Sequence, residues 1–384
     1  MLKSVHFKNF LSFGPDAAPV ELGPLNVLIG ANGSGKSNLI EGVGLLRAAP
    51  VDLPRAVQEG GGAGPWFWRG EGPAELHAVF ERPSAQLDLR HSIWLTREGT
   101  GYALQAERIE NATARRGEKK PYFYFGWEGG RPMFNVAGGA RRELRREDLD
   151  AQRSVLEQRR EPDLYPELAF LTRSYGGIRL YRNWEFGREA PPRKPQPTDL
   201  RADGLDEKAT NLAVVLNNLR AKARATLREH LEDIYDGARD VSFELHGNQI
   251  GLLLEEDGDV VVPATRLSDG TLRWLALLAI LLDPAPPGLV CIEEPELGLH
   301  PDLVFVLARL LTEASRRMQI IVTTHSEALI DALTATPEVV LVCEKVEGST
   351  TLTRLVKDKL SVWLDEYKDL GRVWSKNLIG GGRW

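Results

Sequence analysis

Apolar and polar residues alternate along several short segments in the first third of the chain. Alternation with a period of two is the pattern of a strand buried on one face. Two aromatic segments, 121–127 and 132–136, are joined by Glu128-Gly129-Gly130-Arg131, a composition that favours a hairpin turn. Together these segments predict an antiparallel β subdomain near the N-terminus. The other strands predicted there cover residues 4–11, 26–29, 74–81, 87–96 and 102–109.

The last third alternates apolar runs with amphipathic segments, which favours a parallel α/β sheet with helices on both faces. A hairpin at 241–245 and 249–254 and a strand at 260–262 precede it. The charged segment 141–160 is also predicted to be helical, and 182–198, rich in Pro and Arg, to be an irregular arm. The α/β strands are predicted at 289–292, 319–323 and 339–344, and the main helices at 36–47, 208–235, 271–282, 303–317 and 326–335.

These elements predict three regions along the chain. Residues 1–110 form the N-terminal half of one lobe, 111–240 form an insertion or helical lid, and 241–384 form the C-terminal half of the same lobe. Since no heptad run is long enough for an extended coiled coil, the insertion is expected to be a compact lid or docking surface.

Composition narrows the possible classes of protein. The 384 residues are 42% hydrophobic with a net charge of −6, so the whole-chain charge does not demand nucleic acid or an anionic membrane. The two cysteines, Cys291 and Cys343, lie in apolar runs, which excludes a disulfide framework and a paired CxxC zinc site. No secretory signal and no apolar stretch of about 20 residues is present. We therefore expect a cytoplasmic protein without a membrane partner.

A glycine-rich segment between a strand and a helix carries the strongest motif. Its glycines let backbone N–H groups approach phosphate oxygens, and the helix N-terminus adds positive potential. Lys36 would reach the β- and γ-phosphates of ATP, and the Ser37 hydroxyl would bind Mg²⁺. The alternative, a glycine-rich turn with a surface lysine, is far less frequent in this context. The segment fits the Walker A pattern and reads Gly30-Ala31-Asn32-Gly33-Ser34-Gly35-Lys36-Ser37.

Two carboxylates follow a second apolar strand at 289–292. In parallel α/β sheets, ligands bind at the carboxyl ends of the strands. We therefore assign Glu293 to Mg²⁺, through water, and Glu294 to polarising the attacking water. Adjacent acids at a strand end are often merely solvated, and the nearby Walker A segment is what favours the catalytic interpretation.

The functional interpretation of two further segments depends on where they lie in the chain. Ser268 and Asp269 precede the helix at 271–282, which by itself indicates ordinary helix capping. His325 follows a buried strand, where a lone histidine is more often a satisfied surface residue. What changes both interpretations is the order of the segments around the acidic strand, with Leu267-Ser268-Asp269-Gly270-Thr271 before it and Thr323-Thr324-His325-Ser326 after it.

In this order the segments resemble ABC-type ATPases of the RecF and structural-maintenance-of-chromosomes (SMC) kind. They resemble more closely the ATPases related to overcoming-lysogenization-defect (OLD) nucleases. Clear resemblance covers about half of the chain, its two ends, and 267–271 stands where that family carries its signature, usually written LSGGQ. The other residues that carry it are Phe7-Lys8-Asn9-Phe10, Gly30–Asn38, Thr323–Ser326 and Ile292-Glu293-Glu294-Pro295-Glu296-Leu297-Gly298-Leu299-His300-Pro301.

The resemblance implies an α/β P-loop NTPase fold: an ABC-type ATPase head with a mixed sheet, an antiparallel β subdomain and a helical insertion. It implies a homodimer in which ATP on one Walker A segment is capped by Ser268 and Gly270 of the other copy. The turn 295–301 would lie at the dimer seam. Catalysis would use Glu294, His325 and Lys36, with His325 at the γ-phosphate. ATP would contact Gly30, Asn32, Gly33, Ser34, Gly35, Lys36, Ser37 and Asn38.

Three residues qualify this picture. The family uses a glutamine that senses Mg²⁺ and the γ-phosphate, and Gln152 is the candidate, although an ordinary polar helix residue is the more frequent meaning. Asp269 replaces a signature glycine, so its carboxylate must point outward or toward Ser or Arg. Glu293 replaces the usual Asp and gives a longer arm to the metal.

The sequence is compatible with two classes of binding partner in addition to ATP. One is DNA, in repair or genome maintenance, since basic clusters lie near Tyr122 and Trp127. Those clusters are interleaved with acidic residues, which also suits a solvated surface. The other class is a separately encoded effector, such as a nuclease of an anti-phage system, because the sixty residues after His325 leave no room for a fused one. A transporter subunit is disfavoured by the EEPE segment. The clusters are Arg115-Arg116 with Lys119-Lys120, Arg141-Arg142 with Arg145-Arg146, and Arg159-Arg160.

Overall fold

Eighteen strands form three sheets within the residues that the structure describes. The computed structural model describes residues 1–70, 72–83, 85–128, 131–136 and 140–382; Gly129 and Gly130 of the predicted hairpin turn lie outside these. In chain order the strands are β1 (Leu2–Lys8), β2 (Val20–Glu21), β3 (Leu25–Ile29), β4 (Ala74–Phe80), β5 (Leu89–Glu98), β6 (Gly101–Asn111), β7 (Phe123–Glu128), β8 (Arg131–Asn135), β9 (Arg141–Glu143), β10 (Ile178–Tyr181), β11 (Gln196–Pro197), β12 (Ala238–His246), β13 (Gln249–Glu256), β14 (Val260–Pro263), β15 (Leu289–Glu293), β16 (Gln319–Thr323), β17 (Val340–Val346) and β18 (Ser349–Arg354).

The helices connect and cover these sheets. The structure also has short 3-10 turns, of which Pro191–Arg193 matters below. In chain order the helices are α1 (Lys36–Ala48), α2 (Leu53–Glu59), α3 (Val155–Gln158), α4 (Pro166–Gly176), α5 (Leu212–Glu232), α6 (Asp269–Leu281), α7 (Pro301–Ala314), α8 (Glu327–Asp331), α9 (Lys357–Tyr367) and α10 (Leu370–Ser375).

The central sheet is mixed and has six strands in the order β10-β15-β16-β3-β17-β18. All its pairs are parallel except β17–β18. Its inner strands are buried on both faces, and alternate residues enter two different cores. Val27 and Ile29 of β3 face a core shared with α5, α6 and α7, while Leu28 faces a core shared with the antiparallel sheet and α1. Burial on both faces explains why these strands read as continuous apolar runs.

The second sheet has eight strands in the order β2-β1-β4-β5-β6-β7-β8-β9, and its pairs are antiparallel. A third sheet consists of β12 and β13, with β11 and β14 on the other edge of β13. The predicted antiparallel subdomain and mixed sheet are therefore both present.

The prediction of a helix over residues 141–160 is wrong for most of that segment. Arg141–Glu143 forms β9 and pairs with β8, and Arg146–Asp148 is a 3-10 turn. Only Val155–Gln158 is α-helical. Charged residues have good helix propensity, but pairing with an adjacent strand overrides so weak a preference.

The segment 111–240 contributes to all three sheets. It supplies β7, β8 and β9 to the antiparallel sheet, β10 to the central sheet, and β11 with the start of β12 to the third. Both α4 and β10 were absent from the sequence prediction. The division of the chain at 110 and 240 stays a prediction.

Candidate functional site

The loop between β3 and α1 is shaped by close packing. Gly30 and Gly35 adopt φ of 149° and 110°, in the region that favours glycine. A Cβ on Gly30 would overlap the carbonyl oxygen of Cys343, and one on Gly35 would overlap the side chain of Thr350. Only glycine therefore lets this loop lie against β17 and β18.

Lys36 lies inside the loop that precedes it. Its side chain is buried, with the residue 6% exposed, and its ammonium donates hydrogen bonds to the carbonyl oxygens of Gly30 (2.8 Å) and Ala31 (3.0 Å). Burial lowers the pKa of Lys36, and the nearby carboxylates of Glu293 and Glu294 oppose that shift. The loop thus places a buried cation beside the acidic strand end.

Residues far away in the chain hold the loop in place. The carbonyl oxygen of Ser34 accepts hydrogen bonds from the Thr350 hydroxyl (2.8 Å) and the Cys343 thiol (3.3 Å). Asn38 donates to the Ser12 hydroxyl (2.7 Å), which also bonds Thr350 (2.7 Å). The Ser34 hydroxyl is itself buried and has no hydrogen-bond partner within the described part of the chain. It is a free donor that points to a ligand for this loop.

The acidic strand end meets the loop through Ser37. Glu293 is the last residue of β15, and its carboxylate lies near the Ser37 side chain. Burial raises the pKa of Glu293, while the guanidinium of Arg182 and the Ser37 hydroxyl lower it. A serine hydroxyl beside a carboxylate offers hard oxygen ligands of the kind Mg²⁺ prefers. No group of three or more His, Cys, Asp or Glu suited to a metal occurs in the residues described. Mg²⁺ is usually held by fewer protein ligands together with phosphate and water.

Glu294 and His325 lie side by side at the ends of neighbouring strands. Glu294 has φ of 47°, a strained conformation for a residue with a side chain. Its backbone N–H donates to the carbonyl oxygen of Thr323 at the end of β16 (2.9 Å). The Glu294 carboxylate is 3.7 Å from Nε2 of His325. The strained turn therefore brings the side chain predicted to polarise the attacking water beside the histidine predicted to contact the γ-phosphate.

Glu296 connects the acidic turn to the histidine segment. Its Oε1 accepts hydrogen bonds from the Thr324 hydroxyl (2.5 Å) and from the backbone N–H of His325 (3.1 Å). Burial raises the pKa of Glu296, and these bonds oppose the shift. Glu296 belongs to the 292–301 motif, and no role was predicted for it from the sequence.

The turn that precedes α6 has the predicted capping geometry. Ser268 is the N-cap, and its hydroxyl accepts from the Thr271 N–H (3.0 Å). A Cβ on Gly270 would overlap the carbonyl oxygen of Gly298, so this turn packs directly against the 295–301 turn. Asp269 forms an ion pair with Arg193. The expectation that Asp269 points outward or toward an Ser or Arg partner is confirmed.

Comparison with known proteins identifies the family to which the chain belongs. The family described as "AAA domain, putative AbiEii toxin, Type IV TA system" matches residues 25–331, well over half of the chain. The chain belongs to this family. No curated protein sequence shows a significant match to this AAA-domain chain.

Solved structures show the same fold. An SMC head bound to the C-terminal winged-helix domain of ScpA is 16% identical, with a TM-score of 0.56, covering 93% of the AAA-domain chain and 99% of that structure. The Smc head of Pyrococcus furiosus, with an extended coiled coil and bound to the C-terminal domain of ScpA, is 13% identical, with a TM-score of 0.54, covering 96% and 99%. The predicted class, an α/β P-loop fold of the ABC ATPase-head type, is confirmed.

Arg182 is a residue of the AAA-domain site that sequence reasoning missed. It directly follows β10, which pairs with β15 so that Tyr181 lies opposite Ile292. Its guanidinium forms an ion pair with Glu41 of α1, and Nε is 3.6 Å from the Glu293 carboxylate. The only available signal was that an arginine follows a short apolar run, which is too common to be diagnostic.

Gln152 lies apart from these contacts. Its side-chain amide donates to the Tyr102 carbonyl oxygen (3.4 Å), and its backbone N–H donates to Asp150 (2.8 Å). Among the residues described, its hydrogen bonds join it to the end of the antiparallel sheet and not to Gly30–Asn38. Its assignment as the Mg²⁺-sensing glutamine stays a prediction without support from these contacts.

Two arginines of the predicted basic clusters lie near acidic side chains. Arg141 is 3.7 Å from Glu128, and Arg145 is 4.0 Å from Glu147. Arg115 stacks on the Tyr122 ring, 5.1 Å from its centroid. The side chain of Arg146 is outside the described set.

Across the part of the chain that is described, no helix is both long and apolar enough to cross a bilayer.

Proposed function

We propose that this AAA-domain protein binds ATP with Mg²⁺ and hydrolyses it in a head-to-tail homodimer. The observation that carries the proposal is the convergence of five side chains at adjoining strand ends. Lys36 lies close enough to Glu293 and Glu294 to interact with their charges, Ser37 lies near Glu293, and Glu294 lies beside His325.

Each side chain has a distinct task in this proposal. The loop N–H groups and Lys36 bind the β- and γ-phosphates, and Asn38 together with Ser12 fixes the start of α1. Ser37 and, through water, Glu293 would hold Mg²⁺, which neutralises charge on the phosphates. Glu294 orients the attacking water and takes up its proton as the bond from the γ-phosphorus to the bridging oxygen breaks. His325 contacts the γ-phosphate. The products are ADP and phosphate.

The second copy supplies the cap. The Ser268 hydroxyl and the first N–H groups of α6 lie at a turn that packs against the 295–301 turn in the same chain. Donors at a helix N-terminus suit a terminal phosphate. ATP would then join two copies, and its hydrolysis would release them.

Complementation between two inactive variants tests this arrangement. Ser268→Arg blocks the cap. Lys36→Ala disables the Gly30–Asn38 loop, which we call the phosphate loop, so each homodimer should be inactive. A mixed dimer contains one site built from the two intact halves. We expect mixing to restore up to about a quarter of wild-type ATPase activity, since half the dimers are mixed and each has one site. No recovery at any mixing ratio would argue against sites shared between copies.

For the wider role we propose two candidates. DNA association in repair or genome maintenance is supported by the cations of the loop between β6 and β7, where Arg115 stacks on Tyr122. Control of a separately encoded effector is supported by the family description, which names a putative toxin of a toxin–antitoxin system. The finer resemblance to the ATPases of OLD nucleases is part of this second candidate.

Light scattering and ATPase assays, each with and without duplex DNA, distinguish these candidates. Stimulation by DNA that falls steeply with salt would favour the first. ATP-dependent dimerisation that DNA leaves unchanged would favour the second, and a nuclease or antitoxin gene beside this one would add to it.

A further inference from the structure

Arg193 is a buried cation beside the turn that precedes α6. Its side chain is only 7% exposed, although it lies in an otherwise irregular, proline-rich segment. Nε donates to the carbonyl oxygens of Phe186 (2.7 Å) and Gly187 (3.2 Å). Nη1 donates to the carbonyl oxygens of Ala264 (3.1 Å) and Leu267 (2.6 Å). These bonds connect the segment before β11 to both ends of the short stretch Ala264–Leu267, which directly precedes Ser268.

The remaining nitrogen of Arg193 bonds a carboxylate. Nη2 donates to Asp269, whose side chain is 66% exposed at the outer face of the turn. A carboxylate in the first turn of a helix interacts favourably with the helix dipole. The same carboxylate repels a phosphate that approaches those N–H groups. A guanidinium bonded to it supplies the opposite charge at hydrogen-bonding distance.

We propose that Arg193 is the positioning residue of the Ser268–Thr271 turn and the counter-charge of Asp269. It holds the turn in place through the Leu267 carbonyl, and it offsets the one negative side chain on the surface of the turn. The terminal phosphate of a nucleotide bound to a second copy can then approach Ser268 and Gly270. This inference rests on the proposed function, because it requires the turn to meet a nucleotide of another copy.

The two halves of this role can be separated by substitution. Arg193→Gln removes the charge and most of the carbonyl bonds. Asp269→Asn removes the opposing charge and keeps the shape. If charge matters, the double variant R193Q/D269N should recover what R193Q loses, because the turn again carries no uncompensated carboxylate. Lost bonds to the carbonyls of Ala264 and Leu267 cannot be restored by a change at Asp269.

Lys194 offers a matched control. It is the next residue and also carries one positive charge, but its side chain is 54% exposed and pairs with Glu189 on the same surface. Lys194→Gln therefore changes net charge by the same amount, one position away. Arg193→Lys is a second useful variant, since it keeps the charge and loses the fork that bonds several oxygens at once.

The experiment measures dimerisation by light scattering across an ATP titration, using hydrolysis-deficient Glu294→Gln protein as background. Binding of a fluorescent ATP analogue to dilute monomer is measured in parallel. We expect R193Q to raise the ATP concentration for half-dimerisation about tenfold, with nucleotide affinity of the monomer changed less than about twofold. R193Q/D269N should return to within about threefold of the background protein. K194Q should match the background, and R193K should lie between.

Each outcome decides a different point. Dimerisation of R193Q like that of K194Q would overturn the inference. A defect in R193Q that D269N does not relieve would overturn the counter-charge and leave a scaffold residue. Thermal unfolding of each variant identifies loss of folding, in which case R193K and D269N carry the test. If the background protein binds nucleotide but never dimerises, the proposed head-to-tail function fails instead.

Discussion

The phosphate loop and the turn before α6 are both glycine-containing helix starts, but the protein supports them differently. The loop at Gly30–Asn38 begins at a strand buried on both faces. It is held by hydrogen bonds from Cys343 and Thr350 and by the bond that Asn38 donates to Ser12. The turn at Ser268–Thr271 lies at the surface and is held by its own cap, by packing on Gly298 and by one buried guanidinium.

This difference suits two different tasks. A loop that must hold a highly charged phosphate chain benefits from a rigid backbone, because pre-organised donors bind without a cost of reorganisation. A turn that meets a second copy must instead be exposed and correctly charged. Substitutions in the loop should therefore affect nucleotide binding, and substitutions around the turn should affect association.

The largest effect is expected for Lys36→Ala. Removing the ammonium removes charge-assisted bonds to phosphate, so ATP affinity should fall by at least about a hundredfold. Isothermal titration calorimetry measures this directly. Lys359→Ala, a change on the exposed face of α9, is the control and should bind as the wild type does. Unchanged affinity of the Lys36 variant would refute the assignment of the phosphate loop.

Glu294→Gln should separate binding from turnover. The amide keeps the size of the side chain but cannot accept a proton, so we expect ATP binding to persist while turnover slows by about a hundredfold or more. A long-lived dimer should accumulate in size-exclusion chromatography with ATP. Glu313→Gln on the exposed side of α7 is the control. A near-normal rate would transfer the role of base to another residue.

Arg182→Gln should have an intermediate effect. Glu41 and Glu293 would lose the cation between them, and the Glu293 carboxylate would no longer be held in position. We expect the Mg²⁺ concentration for half-maximal ATPase activity to rise about tenfold, with nucleotide binding in the presence of EDTA unchanged. Arg179→Gln, three residues earlier in β10, is matched, because within the described residues its guanidinium donates hydrogen bonds only to backbone carbonyl oxygens. Equal Mg²⁺ dependence of the two variants would contradict the positioning role.

The smallest effect is expected for Thr350→Val. The substitution keeps the shape of the side chain and removes the hydrogen bonds to Ser34 and Ser12. We expect about 1 kcal/mol less stability and a few-fold weaker ATP binding. Chemical denaturation and calorimetry measure the two quantities. Thr353→Val, exposed on the same strand, should change neither, and a silent Thr350 variant would mean that the loop holds its shape without β18.

Much of the site could be predicted because its parts are local. The strand, the glycine loop and the start of α1 are contiguous, and the acidic pair directly follows an apolar strand. Their contacts with Arg182 and Thr350 were not predicted, since these depend on pairing between strands far apart in the chain. β10 and β18 were both missed, and each carries or precedes one of those residues.

The C-terminal residues give a second example. No element was predicted after residue 344, but Trp374 is buried and its indole N–H donates to the carbonyl oxygen of Gly381 (2.9 Å). Gly381 in turn donates its N–H to Glu344 (2.9 Å) and packs beside Gly30. A six-residue helix and a glycine run have no periodic pattern, so their burial could not be read from residue order.

Residue order alone was sufficient for the class of fold and for the residue types at the phosphate loop, because glycine conformations, helix starts and buried strands depend on neighbours in the chain. It was not sufficient for the partners of those residues. Arg193 reaches Asp269 and Glu296 reaches His325 only after the chain has folded. Hydrogen bonds and ion pairs act over a few ångströms in space, and separation along the sequence does not determine which groups come that close.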